Sequence, residues 1–177
     1  MKPAIPRKHQ EAAVTPRSQA RMAAVQALYQ MELAGTDVTD VVAEFEMLYF
    51  SPRRAADSEA SEPADEMTAS LESADRVFFS DILHGVVRRQ RDIDPIVHEQ
   101  LAAGWRLVRV DAILRAILRA GTFELMERPD VPARVIINEY INVSHAFFDG
   151  DEPRVVNGVL DKIGRRLREK EFDRKKS

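Results

Sequence analysis

The stretch RVDAILRAILRAGTFELME, residues 109–127, sets Val110, Ile113, Leu114, Ile117, Leu118, Gly121 and Leu125 at the 3.6-residue period of a helix with one apolar face. Reading outward from it, the same period recurs almost everywhere, and no run alternates strictly as a half-buried strand does. Upstream, Thr15-Pro16 pairs a cap residue with proline at the first helical position, and Gly35 ends that helix. A second helix is expected from about Thr39 to Phe50, with Val41, Val42, Phe45, Leu48 and Tyr49 inward. A third covers about Leu71 to Arg91, with Phe78, Phe79, Ile82, Leu83, Val86 and Val87 on one side. A short fourth starts at Asp94-Pro95 and ends near Gly104. Downstream, helices are expected from Pro132 to Phe147 and from Asp151-Glu152-Pro153 to about Arg168. The fold class is all-α with about seven helices.

At 177 residues, 45% hydrophobic and 31% charged, the chain can close one hydrophobic core. Residues 15–168 are read as a single helical domain between a flexible basic arm, 1–14, and a charged tail, 169–177. The segment at about 51–72 has almost no large apolar residue and reads as a disordered acidic insert, since it cannot offset its ordering entropy. Seven carboxylates and no Lys or Arg lie between Asp57 and Asp75, so the net charge of −3 conceals a mildly basic body. No apolar run approaches the ~20 residues of a membrane helix. The absence of Cys excludes disulfides, thiolate metal sites and cysteine nucleophiles, and points to the cytoplasm.

Catalytic constellations are missing as well. His9, His84, His98 and His145 stand singly, without HExxH or an i, i+4 ligand partner. Neither a phosphate-binding glycine loop nor a GxSxG elbow occurs. No catalytic residue, metal or cofactor is expected.

Three surfaces are unusual. In the first helix, Ala20, Ala23, Ala24, Ala27, Leu28, Met31 and Ala34 form one arc; Met22, Val25, Tyr29 and Leu33 form the opposite one. The second arc requires its own cover, either another helix of this chain or a partner protein with Tyr29 as anchor. Arg17 and Arg21, at i, i+4 on the first turns, oppose the helix dipole; they form a solvated basic face or a phosphate site. Phe147 and Phe148 beside Arg154 either plug a helix corner or stack an unpaired base.

ARMAAVQALYQMEL (20–33), DILHGV (81–86), AILRAGTFEL (116–125), DVPARVIINEYINVSHAF (130–147) and above all VVNGVLDKI (155–163) resemble the NusB family of bacterial transcription antitermination factors. The resemblance implies two packed three-helix bundles. It implies boxA RNA and the ribosomal protein NusE as partners, in an RNA polymerase elongation complex with other Nus factors, notably on rRNA operons. An RNA-binding targeting module for rRNA modification or ribosome assembly is the alternative. Residue by residue, Arg17, Arg21, Phe147, Asp151 and Arg154 match RNA-binding positions, with Lys2, Arg7 and Lys8 of the arm adding charge. Tyr29 and Asp111 match the NusE side, joined by Met22 and Val25 of the same arc; an intrahelical Asp111–Arg115 pair is the other account of Asp111. Gly158 reads as a point of close backbone approach, and Asn157 as the partner of a buried polar group. The arm and the acidic insert depart from the family's usual core.

Overall fold

The computed structural model describes residues 14–50, 71 and 73–173. They form seven α-helices: α1 Pro16–Ala34, α2 Val38–Phe45, α3 Arg76–Gln100, α4 Ala112–Glu127, α5 Ala133–Phe147, α6 Glu152–Leu167 and α7 Glu169–Phe172. A π turn, Glu46–Phe50, continues α2, and a 3-10 turn, Leu107–Arg109, precedes α4. Short polar side chains start several helices by accepting from the free amides of the first turn. Thr15 accepts from Ser18 N, Asp75 from Phe78 N, and Asp111 from Ile113 N and Leu114 N. Gly35, left-handed at φ 65°, closes α1.

Helices α1, α2 and α3 pack on one another, as do α4, α5 and α6, giving the two three-helix groups that the resemblance implies. Helix α4 joins them, since it also packs along α1 and α3. Alanines 20, 23, 24 and 27 are fully buried and let α1 approach its neighbours closely. Gly85 of α3 lies against α4, where an added Cβ would sit 2.1 Å from the Phe123 ring. The Phe79 ring fills the first group between Phe45 and Phe50, at 5.3 and 4.9 Å between centroids.

Arg168, just past α6, closes the far end of α4. Its guanidinium donates to the carbonyl oxygens of Glu124, Leu125, Arg128 and Val131 at 2.6–2.8 Å. Of these, Leu125 O has no i+4 donor because residue 129 is proline, while Glu124 O also accepts from Arg128 N.

Several expectations are corrected. The third and fourth helices are one: α3 runs unbroken through Pro95. An interior proline costs about 3 kcal/mol, but Ile93 and Val97 are fully buried and Asp94 accepts two bonds from Arg119 of α4, at 2.8 and 2.9 Å. Packing on both sides of the proline outweighs its local penalty. Seven helices remain because residues 169–172, read from sequence as part of a charged tail, form a short helix. Phe172 is buried there, beneath the guanidinium groups of Arg134 and Arg165 at 5.2 and 5.0 Å. Leu48 is exposed and Phe50 buried, because the π turn shifts the inward register. Val87 also faces outward. Leu71, placed from sequence at the end of the insert and the start of the third helix, is a core residue ahead of α3, which begins at Arg76 after its Asp75 cap. The rest of the insert, residues 1–13 and residues 174–177 lie outside the described residues.

Candidate nucleic-acid interface

The basic start of α1 is built around the ring of Phe78, with Arg17, Arg21 and Arg128 at 4.6, 4.9 and 5.0 Å from its centroid. Arg17 is half-exposed and reaches Asp130 at 3.4 Å and Asp75 at 3.8 Å. Arg128 pairs with Asp81 and Asp130, at 2.8 and 2.9 Å. That bonding to Arg128 holds the Asp130 carboxyl below its ordinary pKa.

Arg21 is corrected from surface cation to core residue, since only 3% of its side chain is exposed. It grips Glu124 of α4 at two points, 2.7 and 2.9 Å, and Glu139 of α5 at 3.3 Å. Burial works most strongly against its charge, but the bond to Glu124 and the negative charges around it together outweigh burial and lift the guanidinium pKa further. These donors are consumed inside the protein, which leaves Arg17 as the accessible arginine of the pair. One signal for this was present in the sequence: Glu124 stands amid an apolar stripe and needs a buried cation. Lys2, Arg7 and Lys8 lie outside the described residues.

At the α5–α6 corner, Phe147 and Phe148 are both half-buried against the core. Next to them Asp151 and Arg154 stand almost free, 89% and 88% exposed and 3.7 Å apart. This corner and Arg17 sit at opposite ends of α5, which spans on the order of 20 Å at 1.5 Å per residue. Two readings on α6 are overturned: Asn157 is exposed, and nothing lies within 4 Å of a Cβ built on Gly158. Neither residue serves a close contact inside the fold.

The second arc of α1 is narrower than its sequence indicates. Contacts with α2, α3, α4 and α5 surround the helix, so Val25 is fully buried and is corrected to core. Met22 and Tyr29 are half-buried, and Leu33 is exposed. Asp111 is exposed and caps α4 rather than pairing with Arg115. Arg115 turns instead to Glu32 and to the carbonyls of Leu107 and Val110.

Asp111 and Asp151, assigned to different partners from sequence, meet at one cavity of about 380 Å³ between the α3–α4 connector and the start of α6. Trp105, Arg106 and Arg109 line it too. Sequence reading passed over them, although the single tryptophan beside two arginines was a visible signal. Among the described residues, no helix is long and apolar enough to cross a membrane.

The chain matches the model of the NusB family over residues 18–165. It is 49% identical over 158 residues to the transcription antitermination protein NusB of a Rhodopseudomonas palustris strain, covering 89% of this chain and 84% of the relative. The Nitrobacter hamburgensis protein of the same name is also 49% identical, over 89% of this chain and 91% of its own. Among solved structures, T. maritima NusB superposes with a TM-score of 0.67 at 24% identity, covering 90% of this chain and 98% of its own. A chain from the crystal structure of antitermination factors NusB and NusE in complex with dsRNA gives 0.63 at 19% identity, covering 85% and 97%. At such identities the structural likeness concerns the fold; the family rests on the sequence match across most of the chain, and by that match this protein belongs to the NusB family.

Proposed function

We propose that this protein is a transcription antitermination factor that binds boxA-type single-stranded RNA together with the ribosomal protein NusE. The observation that carries the reading is the family match over residues 18–165, shared with relatives named for antitermination. Further support comes from the crystal structure of antitermination factors NusB and NusE in complex with dsRNA, which includes a chain of this fold.

In this reading RNA runs between Arg17 and the corner holding Phe147, Asp151 and Arg154. The guanidinium groups meet phosphates and the phenylalanine edges meet bases. NusE covers the exposed strip of α1 at Met22 and Tyr29, and the α4 start at Asp111. The assembled pair joins the RNA polymerase elongation complex with other Nus factors in the cytoplasm, notably on rRNA operons. No chemical step is required of the chain; its work is the coupling of two binding events.

The test is titration of a boxA-like single-stranded RNA with and without NusE. NusE is expected to tighten RNA binding, and tight binding of NusE with no effect on RNA affinity would contradict the reading.

A further inference from the structure

We propose that Arg168 is a positioning residue for the nucleic-acid interface: it fixes the turn between α4 and α5, and through Arg128 and Asp130 of that turn it sets the side chain of Arg17. The inference rests on the RNA-binding reading above and adds to it a residue whose own side chain is only 8% exposed.

The turn has little local bonding to hold its shape. Pro129 and Pro132 bring no amide donors, and the backbone bond within it is Val131 N to Arg128 O, 3.1 Å. Much of its hold comes from the end of the chain. Arg168 Nε donates to Leu125 O, and Nη2 donates to Glu124 O and Arg128 O. Nη1 donates to Val131 O at 2.6 Å and to Glu171 at 3.3 Å. Glu171 in turn accepts from Ala133 N at 2.7 Å. The planar guanidinium thus has an acceptor for each of its five donors, an arrangement that the three donors of a lysine cannot reproduce.

The side chains of the same turn meet the start of α1. Arg128 holds the Asp130 carboxylate at two points, 3.0 and 2.9 Å, and reaches Asp81 of α3 at 2.8 Å. Asp130, fixed in this way, accepts from Arg17 at 3.4 Å. Arg17 and Arg128 lie over one ring, that of Phe78, at 4.6 and 5.0 Å from its centroid. Asp75 stands farther from Arg17, at 3.8 Å.

A free arginine side chain has many rotamers to lose when it meets a phosphate. Asp130 and the Phe78 ring confine Arg17 beforehand and still leave 42% of its side chain exposed. Without the Arg168 fork, the backbone carrying Arg128 and Asp130 loses its outer hold, and Arg17 loses its preset direction. Arg168 acts on RNA only through this chain of contacts.

Arg168→Lys keeps the charge and removes the fork, so net charge does not enter the comparison. The full chain, with NusE present, is titrated with a labelled boxA-like single-stranded RNA and followed by anisotropy. Parent, Arg168→Lys, Arg17→Ala and the double variant are compared at a temperature where circular dichroism shows each folded. Arg168→Lys is expected to bind the RNA about five-fold more weakly, with an unchanged affinity for NusE. The salt dependence of its RNA binding should fall toward that of Arg17→Ala. In the Arg17→Ala background, the same substitution is expected to change RNA affinity by less than about two-fold.

A folded Arg168→Lys protein that binds RNA as the parent does overturns the proposal. An equal loss with and without Arg17, or a matching loss of NusE affinity, also overturns it, because either marks general loosening of the fold. If Arg168→Lys does not fold, Arg128→Lys breaks the same chain at its next link, a side chain that is 21% exposed, and is judged by the same outcomes. An Arg17→Ala protein with an unchanged salt slope overturns the proposal and leaves the functional reading in place. RNA that fails to bind the parent with NusE present overturns both.

Discussion

Arg21 of α1 and Glu124 of α4 form a two-point ion pair, Nε to Oε2 at 2.7 Å and Nη2 to Oε1 at 2.9 Å, with both side chains withdrawn from water. The bond fastens the first three-helix group to the second across 103 residues of sequence. Removing one partner would strand the other charge in the core, which costs about 3–5 kcal/mol. Arg21→Ala should therefore shift the urea unfolding midpoint sharply downward. Replacing both residues with apolar ones of similar volume should recover most of that loss. An Arg21→Ala protein as stable as the parent would contradict the pairing.

Arg17 is the contrasting case. Its pairs with Asp75 and Asp130 lie at the surface and are worth no more than about 1 kcal/mol. Arg17→Ala should unfold nearly like the parent yet lower the salt dependence of RNA binding, by roughly 0.7 in the log–log slope if one phosphate contact is lost. An unchanged slope would take Arg17 out of the RNA site.

Two glycines should respond oppositely to alanine. At Gly158 the added methyl meets open space on a helix, so stability should rise by about 1 kcal/mol. At Gly85 it would collide with the Phe123 ring, and overpacking should cost about 1–3 kcal/mol. Thermal or denaturant unfolding of the two variants decides both.

Tyr140 gives a prediction in pH. Burial, and then the neighbouring Glu124 charge, push its phenol pKa well above the ordinary value. An unfolded chain loses this proton near pH 10 while the folded chain keeps it. Stability from this group is thus fully present below about pH 10 and declines as pH rises toward the folded value. Tyrosinate absorbance at high pH should contain a component that appears only as the helical circular dichroism is lost. Tyr140→Phe should remove that component.

Tyr29 tests the partner surface of the proposed function. The residue is half-buried on the exposed strip of α1, so Tyr29→Asp should keep the fold. A carboxylate placed in a protein interface should weaken NusE binding by about 2–5 kcal/mol. Binding of RNA by the isolated chain should change far less, because Tyr29 is about three turns from Arg17. Calorimetry with NusE, beside circular dichroism of the variant, separates loss of fold from loss of contact.

Helix starts were legible because they are local. Thr15-Pro16 and Asp151-Glu152-Pro153 mark the starts of α1 and α6 in the sequence itself, whereas Asp75 and Asp111 cap α3 and α4 later than the expected starts. The 3.6 period of residues 110–125 holds one stripe of α4, a helix that is buried on more than that face. What the sequence concealed depends on distant residues. Pro95 stays helical only because Asp94 meets Arg119 and the apolar residues on either side remain packed. The interior position of Arg21 is set by two acids more than 100 residues away. Val25 belongs to the core because four helices surround α1, and periodicity along one helix does not count its neighbours. At the candidate site the corner residues were identifiable by type, but the cavity that unites Asp111, Asp151 and Trp105 arises only when the connector folds against α6.

Arg168 has a consequence for biosynthesis. The carbonyls at the end of α4 receive their cap from a residue made 40 and more positions later. While the ribosome is still adding α5 and α6, the end of α4 keeps its local bonds, Arg128 N to Glu124 O and Val131 N to Arg128 O, but lacks the Arg168 guanidinium that fastens it to α6. Nascent chains halted before residue 168 should consequently be cut by protease around residues 125–131, and those extended a few dozen residues past it, clear of the exit tunnel, should resist. That outcome would mean that the fold is completed by the arrival of one late guanidinium rather than by the order in which the helices emerge.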